Sequence, residues 1–126
     1  MKDVKTILLI EDDEGIIELV SSVLSESSMK IHPAMSGNEA LEKMKLNEYD
    51  LLLLDYSLPD YNGADLLNKL QIEGIKIPPF IVTTGAGDER IAVKMMKIGA
   101  KDYLVKDYQF FENLPLVVNR VMREIE

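Results

Sequence analysis

Acids, hydroxyls and an ammonium recur at the ends of short apolar runs in this chain. Glu11, Asp12 and Asp13 follow the run 7–10, and Asp55 follows the four leucines 51–54. Thr83 and Thr84 close the run that begins at Phe80, and Lys106 follows Leu104 and Val105. Two unit charges about 4 Å apart repel by roughly 4 kcal/mol at an effective dielectric of 20, so gathered carboxylates need a cation or protons. The candidate ligands are all oxygens, with no histidine or thiolate beside them, which selects a hard cation such as Mg2+ over Zn2+. A carboxylate beside such an ion, a lysine and a hydroxyl is suited to receive a phosphoryl group: the carboxylate is the nucleophile, and the cations neutralise the equatorial oxygens. Each residue alone has a plainer role. Asp13 suits a helix cap, the threonines suit a strand, and Lys106 suits a solvated edge. Chemistry is favoured only because four strand ends carry suitable groups together.

A fold that gathers strand ends must hold them. Residues 6–10 read as a buried first strand. A helix follows from about Glu14, with Ile16, Ile17, Val20, Val23 and Leu24 at helical spacing, closed by residues 25–28. Residues 29–34 form a weaker second strand near a sheet edge, because Pro33 cannot donate to a ladder. Ser36 and Glu39 make a capping box for a helix that turns Ala40, Leu41, Met44 and Leu46 inward. Residues 50–55 are the third strand. A turn over 57–62 leads into a helix from Gly63 to about Gln71, with Ala64, Leu66, Leu67 and Leu70, stopped near Gly74. Residues 80–84 are the fourth strand, and a helix from Asp88 or Glu89 to Ile98 ends at Gly99. Residues 103–105 are the fifth. The last helix starts near Phe110 with Leu114, Val118, Val121 and Ile125 on one stripe, and Pro115 is expected in its first turn. Five strands alternating with five helices predict a single α/β domain, a doubly wound parallel sheet whose ligand edge collects the strand C-termini.

Bulk properties narrow the function. A chain of 126 residues makes one domain, burying roughly two-thirds of its unfolded surface, and no output domain fits within it. The formal net charge of -8 argues against a nucleic-acid backbone reader and against an anionic membrane surface. With no cysteine, disulfides and thiolate metal sites are excluded, and a cytoplasmic location is expected. The apolar run at 7–10 is too short for a signal-peptide core or a membrane span. The lone His32, beside Pro33, suits a packed or exposed imidazole rather than a functional one.

On the stretches 7–13, 55–63, 84–88 and 99–106, the chain resembles the response-regulator receiver domain of two-component signalling, over essentially residues 1–126. The resemblance implies a flavodoxin-like sheet in the order 2-1-3-4-5, an order already known for receivers. It implies Asp55 as phosphoacceptor, Asp12 as a direct Mg2+ ligand, Glu11 as a ligand through water, and the Ser57 backbone carbonyl as a third protein ligand. Lys106 matches the lysine that contacts the phosphoryl group. Counting back from Gly99-Ala100 by the family's spacing selects Thr84 as the switch hydroxyl, and Tyr103 stands where the family has an aromatic that follows it. One position departs from the pattern. Asp107 replaces the proline usually joined to the lysine by a cis bond; without proline a cis bond costs about 2.5–4 kcal/mol, so a trans bond is expected.

The implied partner is a histidine kinase or phosphotransfer protein. The implied output is a shift of the face made by the fourth helix, fifth strand and last helix toward a homodimer or effector, with no enzymatic activity beyond the domain's own phosphorylation and dephosphorylation. Small residues at Ser57 and Ala86 predict no unusually long phosphoryl lifetime. On the fourth helix, Ile91, Ala92, Met95, Met96 and Ile98 spread over a wide arc, with Val93 beyond it. That breadth suits either deep packing or a methionine-rich partner surface. Other classes fit less well. An aspartyl phosphatase would want an acid where Ser57 stands, and the 11–13 acids would repel the phosphate of a flavin or nucleotide. A receiver-like interaction module indifferent to phosphorylation is the remaining alternative.

Overall fold

The computed structural model describes residues 4–25, 28–85 and 89–125. Its elements run β1 (Lys5–Ile10), α1 (Glu14–Ser25), β2 (Met29–Ala34), α2 (Gly37–Leu46), β3 (Leu51–Asp55), α3 (Gly63–Ile72), β4 (Phe80–Thr84), α4 (Glu89–Ile98), β5 (Asp102–Val105) and α5 (Phe110–Ile125). The five strands form one sheet in the order β2-β1-β3-β4-β5, and each pairing is parallel. The expected architecture and order are therefore those observed. Ala86, on which the expected phosphoryl lifetime rests in part, and the alternative helix start at Asp88 lie outside the described residues.

The leucine run is apolar at every position because helices cover both faces of the sheet. Leu52 and Leu54 join Leu8, Ile10 and Val82 on the face packed with Leu41, Leu66, Leu70 and Met95. Leu51 and Leu53 join Ile7, Leu9 and Ile81 on the other, with Val20, Leu24, Leu114 and Val118. Each fully buried leucine contributes about 2–3 kcal/mol relative to exposure. The central strands are thereby fixed, and their C-terminal ends share one edge. The edge position of β2 follows the expectation from Pro33, and His32 lies half-buried with its ring edge-on to Tyr49, centroids 5.7 Å apart.

Two local expectations need correction. Leu46 is 82% exposed at the last position of α2, where no neighbouring element extends over it. Pro115 sits inside α5, past its first turn. The helix starts at Phe110, as expected, with Phe110 buried in the core and its N–H donating to the Asp107 carbonyl at 3.1 Å, so Pro115 five residues on falls beyond the first turn. Of the two readings left open for α4, deep packing does not hold: Met95 is fully buried, but Val93, Met96 and Ile98 are about half exposed, at 54%, 47% and 46%. The capping box forms in altered style. Ser36 accepts from the Glu39 N–H, while Glu39 reaches past the cap to the Met35 N–H at 2.8 Å.

Candidate functional site

Among the described residues the buried polar or charged side chains are Glu11, Asp55, Thr83 and Thr84, at 2%, 4%, 5% and 4% exposure. All four stand at the C-terminal ends of adjacent strands or one residue beyond. Glu11 continues β1, its N–H donating to the Ala34 carbonyl at 2.9 Å. Asp12, next along, is exposed, and Asp13 turns away to cap α1, accepting from the Ile16 N–H at 3.0 Å. Oxygen atoms of Glu11, Asp12 and Asp55 lie within 4.8 Å of one another. The donor set is oxygen only, as a hard divalent ion requires.

One ammonium spans the two buried acids. Lys106 Nζ lies 2.9 Å from Glu11 Oε1 and 3.2 Å from Asp55 Oδ2. Burial pushes the Glu11 carboxyl above its ordinary range, and the nearby Asp55 charge adds to this. Hydrogen bonds from Lys106 and the Asp13 N–H offset only part of it. Burial alone would lower the Lys106 pKa, but the Glu11 hydrogen bond and the charges of Asp55 and Glu11 outweigh it, so Lys106 is held above its ordinary value. The ammonium therefore stays charged. It lies against both buried acids.

The backbone sets these positions. Asp55 pairs with Thr83 across the β3–β4 ladder, so those two residues share a sheet face. Val82 pairs with Tyr103 and Thr84 with Val105, which puts Thr84 and the half-buried Tyr103 on the opposite face. The Lys106 N–H donates to the Thr84 carbonyl at 2.7 Å, tying the lysine to the end of β4. No cis peptide bond occurs among the described residues, so Lys106–Asp107 is trans, as the missing proline predicted. Asp107 instead starts the next turn: its carboxylate accepts from the Gln109 N–H at 3.0 Å and its carbonyl from Phe110.

The loop after Asp55 is tightly organised. Asp55 Oδ1 accepts from the Ser57 N–H at 3.2 Å, Ser57 bridges to Asn62, and Asn62 caps α3 through the Asp65 N–H at 2.8 Å. Asp60, read from sequence only as turn chemistry, reaches across to α2. Its two oxygens accept from the Gly37 and Asn38 N–H groups at 2.8 and 2.9 Å. Burial works against its ionisation, but these two bonds, with the N–H groups of Asp60 and Tyr61, hold the carboxyl below the usual range. The signal that could have revealed this link is Gly37 itself, a glycine opening a capped helix.

The family model of the response regulator receiver domain matches residues 7–116. The chain belongs to that family. This receiver domain is 35% identical over 102 residues to the cell cycle response regulator CtrA of Brucella ovis, a match covering 81% of the chain and 44% of CtrA. It thus spans less than half the length of that curated relative. Among solved structures, it resembles the Francisella response regulator 1452 receiver domain, with 26% identity, a TM-score of 0.84 and coverage of 97% and 99% of the two chains. A two-component response regulator from Clostridium difficile matches with 27% identity, a TM-score of 0.85 and coverage of 97% and 98%. Receiver-family membership makes the chain a signalling domain of the phosphoacceptor class. Among its described residues no helix is long and apolar enough to cross a membrane.

Proposed function

We propose that this receiver domain, residues 1–126 acting as one unit, takes a phosphoryl group onto Asp55 from the phosphohistidine of a histidine kinase or phosphotransfer protein. The observation that carries the reading is the burial of Glu11 and Asp55 around one ammonium, with Asp12 exposed beside them. Asp12 and Asp55 with the Ser57 carbonyl would hold Mg2+ directly, and Glu11, already engaged by Lys106 and the Asp13 N–H, would do so through water. When bound, the ion supplies charge neutralisation for the phosphoryl oxygens.

Asp55 attacks phosphorus through a carboxylate oxygen. The new P–O bond forms as the P–N bond of the donor breaks, and the imidazole leaves with that electron pair. Lys106 stabilises the charge on the transferred group, and hydrolysis later returns the free carboxylate. Thr84 would follow the new oxygens and Tyr103 would follow Thr84, biasing a pre-existing equilibrium of the α4–β5–α5 face. The exposed Val93, Met96 and Ile98 support that face as the contact for a second copy or an effector. We place the domain in the cytoplasm, with no direct nucleic-acid or membrane contact and no activity on other substrates. Exposed Ser57 supports an ordinary phosphoryl lifetime. A half-life of days at room temperature in Mg2+ would contradict that.

Phosphorylation by a small-molecule donor tests the core of this reading. Acetyl phosphate with Mg2+ should add one phosphoryl mass to the wild type and none to Asp55→Asn. Equal labelling of both, or of neither, removes Asp55 as acceptor and leaves an interaction module indifferent to phosphorylation.

A further inference from the structure

The loop that leaves Asp55 is fastened to the start of α2, which packs in the same core layer as α3. Residues 57–62 close on themselves through the Ser57–Asn62 bridge and the Leu58 N–H donating to the Tyr61 carbonyl at 3.0 Å. The base is fixed by the Gly63 N–H donating to the Tyr56 carbonyl at 2.7 Å. The tip is held separately. Asp60 takes the Gly37 and Asn38 N–H groups, and the Tyr61 ring lies against Gly37 so closely that an added Cβ would sit 2.3 Å from Tyr61 Cδ2. Three neighbouring residues thus place one short loop: a carboxylate with two charge-assisted bonds, an aromatic ring, and a glycine that makes room for it.

We propose that Asp60, with Tyr61 seated on Gly37, is a positioning residue for the cation site: it sets the height of the 57–62 loop and thereby aims the Ser57 carbonyl. The inference rests on the proposed reading in which that carbonyl is a metal ligand. Asp60 does not join the carboxylate cluster of Glu11, Asp12 and Asp55; it acts through the backbone three residues away. Supporting groups of this kind commonly change metal affinity by about 10–100-fold when removed.

Mg2+ titrations followed by amide NMR shifts and by the rise in Tm test it. In Asp60→Ala the Kd for Mg2+ should rise about tenfold, and in Asp60→Asn, which keeps one acceptor oxygen, by a smaller factor. Gly37→Ala provides a change without charge: displacing Tyr61 should weaken Mg2+ binding at least threefold. A purely structural tether would lower Tm in metal-free protein and leave the Kd within about twofold of wild type in all three variants; that result overturns the proposal while the cation site stands. If wild type itself shows no saturable Mg2+ response, the metal reading fails and takes this inference with it. Because Asp60→Asn and Gly37→Ala each test the loop independently, loss of folding in one variant leaves the other to decide.

Discussion

Asp50 and Asp55 bracket the same run of leucines, one residue type at the two ends of one strand path, and they do different work. Asp50 is consumed by structure. Its Oδ2 accepts from the Thr6 N–H and its own N–H donates to the Thr6 carbonyl, both at 2.8 Å, closing the start of the β1–β3 ladder. That edge also carries a cavity of about 420 Å3 with Met44, Tyr49 and Ile75 among its lining residues. Asp55 faces two other acids and a lysine, with a single longer bond from its own loop. In a parallel sheet every strand leaves through the same edge. Charges placed after the strands converge there, whereas an acid before a strand meets backbone it can satisfy.

The largest effect should come from the strand that both edges share. Leu53 is 1% exposed, and Leu53→Ala should cost about 3–4 kcal/mol in urea unfolding, lowering both edges together. A loss below 1 kcal/mol would mean that the run is not the support of either acid. Lys106→Met should cost about 2–3 kcal/mol in metal-free protein, near the low end for stripping a buried pair, because Lys106 retains some exposure. That loss carries a pH signature. The Glu11 pKa is raised in the folded state, so its contribution is full below the unfolded pKa and is lost as pH rises through the folded one. Without Lys106 the folded pKa climbs further, and the variant should be closer to wild type at acid pH than at neutral pH; a gap independent of pH would contradict the coupling.

Asp50→Ala should cost about 1–2 kcal/mol by leaving the Thr6 N–H without its acceptor, yet leave phosphoryl labelling at wild-type rate. A labelling defect there would break the distinction between the edges. The smallest effect belongs to Asp60, whose lowered pKa means a contribution present above the ordinary aspartate pKa and lost as pH falls through the folded one. Being exposed and screened, it should amount to about 0.5 kcal/mol, visible as a wild-type advantage over Asp60→Asn at neutral pH that fades in strong acid.

Most of the frame was legible because burial on both faces leaves continuous apolar runs, as at 51–54, and because one-sided helices carry stripes such as Leu114, Val118 and Val121. The acids, the threonines and Lys106 stood out only as a set: each has a plain structural role alone, but four strand ends carry suitable groups together. What escaped depends on neighbours distant in sequence. Leu46 reads as core by spacing, but no element reaches it. Pro115 reads as a first-turn residue, but a helix anchored at the buried Phe110 carries it into the interior. The Asp60–Gly37 contact spans 23 positions between a loop and the start of a helix, with no shared sequence pattern. The pairing of Lys106 with Glu11 as well as Asp55 likewise follows from register rather than composition.

The central claim is that the C-terminal edge exists to phosphorylate one of these two aspartates. Intact-mass measurement after incubation with acetyl phosphate and Mg2+, on wild type, Asp55→Asn and Asp50→Asn in parallel, tests it most directly. A single phosphoryl adduct on wild type and Asp50→Asn, absent from Asp55→Asn and absent when Mg2+ is chelated, is the predicted result. An adduct that survives Asp55→Asn, or wild-type protein that takes none, would contradict it.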